Sequence, residues 1–174
     1  MITLNHSVQF FDEQFQRQAT TGDLALNPFE EVALPHLRGR VLDFGCGMGN
    51  LAVAAARRGC SVVALDGSSA AIGHLQRRAR RDSLAIDAAQ ADLRTFEVTE
   101  DFDTIVSIGL LMFFDCSTAF RSLANLQARV RKGGVAINCS QIFSRQVSRS
   151  NGSGARGDCC SVFEIGRASC RERV

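Results

Sequence analysis

Three glycines at alternate positions, Gly45, Gly47 and Gly49, follow the apolar run 41–44 in the stretch VLDFGCGMGN, and Asp43 lies inside that run. Glycines so spaced let a strand turn sharply into a helix with its backbone bare. Peptide N–H groups and a helix N-terminus then face a small anion such as a carboxylate. A dinucleotide loop asks for G-x-G-x-x-G. Counted from Gly45, its third glycine falls on Asn50, and Gly49 comes one residue early. A second acid, Asp66, closes the next apolar run 21 residues after Gly45, the spacing at which an acid reaches a ribose diol. Together these residues suggest a ligand that carries a nucleoside and a small anionic group.

The elements that must position them alternate strand and helix. VLDF (41–44) reads as a strand and Asn50 to Arg58 as an alanine-rich helix closed by Gly59. SVVALD (61–66) is a second strand. Ser68 or Ser69 caps a helix to about Arg81, with Ala71, Ile72, Leu75 and Ala79 on its inner stripe and four arginines near its C-terminal end. SLAIDAAQ (83–90) and FDTIVSIG (102–109) supply a third and a fourth strand. Ser117 is expected to cap a helix carrying Phe120, Leu123, Leu126 and Val130, ended by Gly133 and Gly134, before a fifth strand at 135–140. Helical crossovers between strands imply a doubly wound α/β domain, a parallel sheet covered on both faces, with a ligand crevice at the strands' C-terminal ends.

Composition excludes several classes. The 174 residues are 45% apolar and 22% charged, ordinary for one globular domain. No apolar run approaches the roughly 18 to 20 residues of a membrane span, and the N-terminal stretch lacks a signal-peptide pattern. A cytoplasmic location and no membrane partner are expected. The net charge of +2 arises in residues 144–174, where six arginines face Asp158, Glu164 and Glu172; residues 1–143 carry 14 basic and 15 acidic side chains, a net of −1. That leaves no surplus for phosphate contacts, so nucleic acid is not an expected partner. Seven cysteines without a CxxC pair or suitably spaced histidines read as reduced thiols, and no metal site is expected.

The segments VLDFGCGMGN, VVALDGS, QADL, FDTIVSIG and VRKGGVAIN resemble the successive motifs of the class I S-adenosylmethionine-dependent methyltransferases, over most of residues 38–140. The resemblance implies a sheet ordered 3-2-1-4-5 with S-adenosylmethionine as cofactor. Gly45, Cys46 and Gly47 would lie under its methionine part, Asp66 with Gly67 at the ribose, Asp92 with Leu93 at the adenine, and Ile108 at the end of the fourth strand. Asp43 is expected to order the loop. The sulfonium of this cofactor is a good leaving group, so the reaction asks chiefly for in-line positioning, and no catalytic residue is assigned.

Family members that methylate exocyclic amines carry Asn or Asp before Pro-Pro at the end of the fourth strand. Here that place reads SIGLLMFFDC (107–116). Leu110, Leu111, Met112, Phe113 and Phe114 are candidates for an apolar acceptor pocket. LLMFF with LANLQARVRKGG is similar to the tellurite-resistance methyltransferase branch, which implies a small soft acceptor, an oxyanion or a thiol-like group. A nicotinamide-dependent oxidoreductase and a non-catalytic cofactor-binding fragment are the alternatives.

Three regions follow: an N-terminal helical cap at 1–37, in which Gln14 and Arg17 are candidate contacts, the cofactor-binding core at 38–143, and a tail at 144–174. The tail is rich in Gly, Ser and Arg without strand alternation, and is expected to be disordered. Its last residues, EIGRASCRERV, look like a translated sequencing adapter, which implies a C-terminally truncated sequence. The closing antiparallel hairpin of the fold would then be missing and the fifth strand left as an open edge for self-association.

Overall fold

A computed structural model of the chain describes residues 25–139 and, for the backbone alone, the strand at 160–164. The helix α1 (Pro28–Ala33) opens on Asn27, whose side chain accepts the N–H groups of Phe29 and Glu30 at 2.9 and 3.0 Å while Glu30 accepts that of Asn27 at 2.8 Å. This reciprocal cap fixes the helix start within a single turn. A short 3-10 turn, Leu34–His36, leads into the sheet. Gln14, Arg17 and the rest of residues 1–24 of the expected N-terminal cap lie outside the described residues.

The sheet then builds in alternation: β1 (Arg40–Phe44), α2 (Asn50–Arg57), β2 (Ser61–Asp66), α3 (Ser69–Arg81), β3 (Ile86–Gln90), β4 (Phe102–Ile108), α4 (Cys116–Ala128) and β5 (Val130–Cys139). The five strands are parallel in the order 3-2-1-4-5, as a doubly wound fold requires. β1 is central, and Val41 to Phe44 are all buried because helices cover both its faces. Alternate residues divide between two cores. Val41, Val62, Ala64, Val106 and Ile137 pack with Ala33 of α1, Leu51 of α2 and Leu75 of α3; Leu42, Phe44, Leu65, Ile105 and Ala136 pack with Leu126 of α4.

Local chemistry explains where observed boundaries depart from the expected ones. Ser68 caps α3 as expected, its hydroxyl accepting the Ala71 N–H at 3.0 Å. The cap of α4 is Asp115 rather than Ser117; the Asp115 carboxylate accepts from the Thr118 N–H at 3.0 Å and from the Ser117 hydroxyl. Asp115 titrates well below the usual carboxylate range because these donors favour its charged form. Gly133 and Gly134 do not end that helix. They lie inside β5, where the register steps from Phe102 opposite Val130 to Thr104 opposite Val135 and residues 131–134 bulge against Asp103. Of the apolar residues expected at helical spacing on α4, Phe120 is 71% exposed and Leu126 is buried.

The tail also departs from expectation at one place. Cys160–Glu164 forms a sixth strand, β6, antiparallel to β5, with Val135 opposite Glu164 and Cys139 opposite Cys160. The segment CSVFE supplies main-chain donors and acceptors to the side of β5 turned away from β4, so β5 is not the open edge that was expected. The remainder of 140–174 lies outside the described residues. Among the described residues no helix is long and apolar enough to cross a membrane.

Gly49 shows how tightly the loop after β1 fits this frame. Its φ is +73°, and a Cβ there would lie 2.5 Å from both terminal methyls of Leu75 on α3. Gly59, at φ +90°, has nothing within 4 Å of the same position. Gly49→Ala should therefore lose about 2 to 4 kcal/mol of stability from strain and overpacking together, and Gly59→Ala only about 1 to 2 kcal/mol from backbone strain. Equal midpoints in chemical denaturation for the two variants would contradict this packing.

Candidate functional site

Three successive amides hold the glycine loop to the end of β2. The N–H groups of Gly45 and Cys46 both donate to the Leu65 carbonyl, at 2.8 and 3.0 Å, and the Gly47 N–H donates to Asp66 Oδ2 at 2.8 Å. Asp66 Oδ1 accepts the Ser68 N–H at 2.8 Å. Gly45 stands at φ +91°, with the Leu110 side chain 3.0 Å from where a Cβ would be. The loop backbone thus runs bare between the ends of β1, β2 and β4. Past it, α2 has Gly49 as its N-cap, with no side-chain cap hydrogen bond among the described residues.

Carboxyl groups gather beneath this loop. Asp43 is 5% exposed and its Oδ2 has no partner among the described residues. Burial, with Glu30 of α1 and Asp66 nearby, pushes its carboxyl up to about 8. Asp43 is therefore protonated at neutral pH. Glu30 is itself raised, chiefly by burial, and the buried Cys46 thiol is raised well above its ordinary range by burial and then by Asp43 and Asp66. Such a thiol is unreactive as a nucleophile.

The sequence-derived residues fall into two groups. Asp43, Gly45, Cys46, Gly47, Asp66, Gly67 and Ile108 converge at the C-terminal ends of β1, β2 and β4, with the Gly67 carbonyl steadied by the Gln90 amide at 3.0 Å. Asp92 and Leu93 follow β3. Asp92 is exposed and gripped by Arg94, whose Nε and Nη2 donate to its two oxygens at 2.9 and 2.7 Å; that ion pair lowers the Asp92 carboxyl. The Leu93 side chain is buried among Leu42, Phe44 and Leu65. Of the proposed pocket residues, Leu111 is buried, Leu110 and Phe114 pack against the α4-side core, and Met112 and Phe113 are exposed.

Sequence reasoning missed Glu30 and Arg94 as parts of the site. Arg94 could have been found from its spacing of two residues from Asp92. Glu30 sits 13 residues before Asp43 on a separate helix, and only the packing of α1 brings it close. Among the described residues no cluster of metal-ligating side chains occurs.

Comparison with known proteins places this geometry among methyl-transferring folds. The family model described as a methyltransferase domain matches residues 41–134, more than half of the chain. The probable S-adenosyl-L-methionine-dependent methyltransferase TehB of Haemophilus influenzae is 26% identical over 125 residues, 72% of this chain and 42% of that protein. The crystal structure of TehB from Haemophilus influenzae superposes with a TM-score of 0.63 at 23% identity, over 70% of this chain and 43% of that one. The N-methyltransferase NodS of Bradyrhizobium japonicum, solved with S-adenosyl-L-homocysteine, gives a TM-score of 0.60 at 25% identity, over 75% and 73%. A structure concerned with conversion of a disulfide bond into a thioacetal group during echinomycin biosynthesis gives 0.56 at 31% identity, over 67% and 52%. The chain spans 32% and 42% of the length of the first curated relatives it matches.

The raised Asp43 carboxyl makes stability depend on pH in a defined direction. In the unfolded chain Asp43 ionises near its ordinary value, 3.8, whereas in the fold it keeps its proton to about pH 8. Its contribution is fully present below pH 4 and is lost progressively as pH rises to about 8. Asp43→Asn, which cannot ionise, should therefore gain in melting temperature relative to the unsubstituted chain as pH is raised from 5 to 8. A difference that stays constant over that range would show that Asp43 is ionised in the fold.

Proposed function

The chain belongs to the methyltransferase-domain family, and from that premise we propose that it transfers a methyl group from S-adenosylmethionine to a small soft nucleophile, an oxyanion or a thiol-like acceptor. The observation that carries this reading is the bare glycine loop tied to Asp66 and underlain by Asp43 and Glu30. The glycine frame, which lacks the third glycine of a dinucleotide loop, favours S-adenosylmethionine over a nicotinamide dinucleotide. The uncapped start of α2 suits the ligand's one carboxylate.

The residues present fit this cofactor. Gly45 to Gly47 would lie under the methionine part, Asp66 would accept from the ribose hydroxyls, and Asp92 from the adenine amino group once Arg94 shares it. Bound there, S-adenosylmethionine supplies an electrophilic methyl group on a sulfonium. The chain's own work is to hold the loop rigid through Leu65 and Asp66, to keep Asp43 uncharged beneath it, and to orient an incoming nucleophile beside Ile108 and Leu110. No proton needs to be removed in the transfer when the acceptor is already anionic, so the absence of an assigned base is no obstacle. The apolar side chains after β4 and the lack of an Asn-Pro-Pro segment support a soft acceptor, in line with the likeness to the tellurite-resistance branch.

Asp66→Ala should weaken binding of S-adenosylmethionine and S-adenosylhomocysteine by about 1.5 to 3 kcal/mol, because a charged acceptor is lost, and Asp92→Ala by about 1 kcal/mol. Calorimetry giving unchanged affinity for Asp66→Ala would remove the cofactor assignment. With methyl-labelled cofactor, label should pass to selenite, tellurite or thiols in a panel that also holds DNA and RNA. Label on nucleic acid alone would contradict the acceptor class.

A further inference from the structure

Ser107 and Asn138 are neighbours across the β4–β5 ladder, each one residue before the C-terminal end of its strand. Both are buried, at 1% and 8% exposure, and Ser107 Oγ and Asn138 Oδ1 have no hydrogen-bond partner among the described residues. By strand alternation they lie on the face that carries Ile105 and Ala136, the face against which Leu110 and Phe114 pack. An orphaned buried oxygen is costly, and two at register-paired positions call for a common cause.

We propose that Ser107 and Asn138 form the polar end of the methyl-acceptor pocket and select an acceptor with an O–H or N–H donor close to its nucleophilic atom. The proposal rests on the methyl-transfer reading above. An amide oxygen only accepts, whereas a hydroxyl both donates and accepts, so the pair complements a group that is itself donor and acceptor, such as an alcohol or a protonated oxyacid. Leu110 and Phe114 supply the apolar wall beside it, and the bare loop at Gly45 touches Leu110 from the cofactor side. The acceptor's donor group anchored at β4 and β5 leaves its soft atom turned toward the loop. For a thiol the balance is simple: its proton goes to solvent, and the thiolate sulfur takes the methyl carbon as that carbon's bond to the sulfonium sulfur breaks. The bonding pair stays on the departing sulfur, which becomes a neutral thioether.

The test compares two thiols of nearly equal size, 2-mercaptoethanol and 1-propanethiol, with labelled S-adenosylmethionine and the full chain. The unsubstituted chain should favour 2-mercaptoethanol by about tenfold in kcat/KM, the worth of one hydrogen bond near 1.4 kcal/mol. The double variant S107A/N138L should bring that ratio to about one while its cofactor affinity and its melting temperature hold or rise. Equal rates on the two thiols in the unsubstituted chain, or a ratio that survives the substitutions, would overturn the proposal and leave methyl transfer standing. A variant that melts lower with both rates reduced alike would mark the pair as structural and overturn it too. No label on either thiol, or on selenite or tellurite, would overturn the soft-acceptor reading and this proposal with it.

Discussion

The end of β2 holds the site together. Leu65 and Asp66 accept three successive amides of the loop after β1, and without them the N–H groups of Gly45, Cys46 and Gly47 would lose these acceptors. Everything the site does follows from that attachment. It fixes where α2 begins and sets Gly45 against Leu110 of the next crossover. It also places the Asp66 carboxylate where the loop and any ligand above it meet. Since β1 and β2 are hydrogen-bonded along five residue pairs, from Arg40 with Ser61 to Phe44 with Leu65, the loop inherits the rigidity of the sheet.

The same arrangement carries an electrostatic cost. Asp43 is held protonated under the loop by burial and by the nearness of Glu30 and Asp66, so near neutral pH the fold is less stable than it would be with an uncharged side chain there. A buried acid whose Oδ2 has no partner among the described residues is a poor device for stability. The neutral state of Asp43 spares the loop its repulsion with Asp66.

Much of this could be read from the chain before its shape was known, because it depends on short-range spacing. The glycine frame, the acid closing β2 and the cap at Ser68 are each decided within a few residues, and the order of the five parallel strands follows from crossover handedness and the family likeness. What escaped depended on contacts distant in sequence or on competition between near-equal local choices. Glu30 reaches Asp43 only through the docking of α1. Asp115 outcompetes Ser117 as a cap since its carboxylate accepts both the Thr118 amide and the Ser117 hydroxyl. Gly133 and Gly134 follow a helix yet serve a bulge, which lets β5 run on from Val130 beside Phe102. CSVFE looked too weak to form a strand by composition, and pairing depends on the open side of β5 as much as on its own residues.

The two halves of the site differ in what sets their position. The loop over β1 and β2 is made of backbone and two acids, so it can accept one ligand shape and few substitutions. The ends of β4 and β5 present side chains, Ser107 and Asn138 with Leu110 and Phe114 nearby, on strands whose register to β1 is fixed by Asp43 opposite Val106. The distance between the halves is thus a property of the sheet, while the chemistry of the second half is open to change one residue at a time. In-line transfer needs that distance held within a fraction of an ångström and tolerates wide variation in what is recognised around it. A fold that assigns distance to its hydrogen-bonded ladder and recognition to the side chains at its rim can change acceptor without rebuilding the cofactor loop.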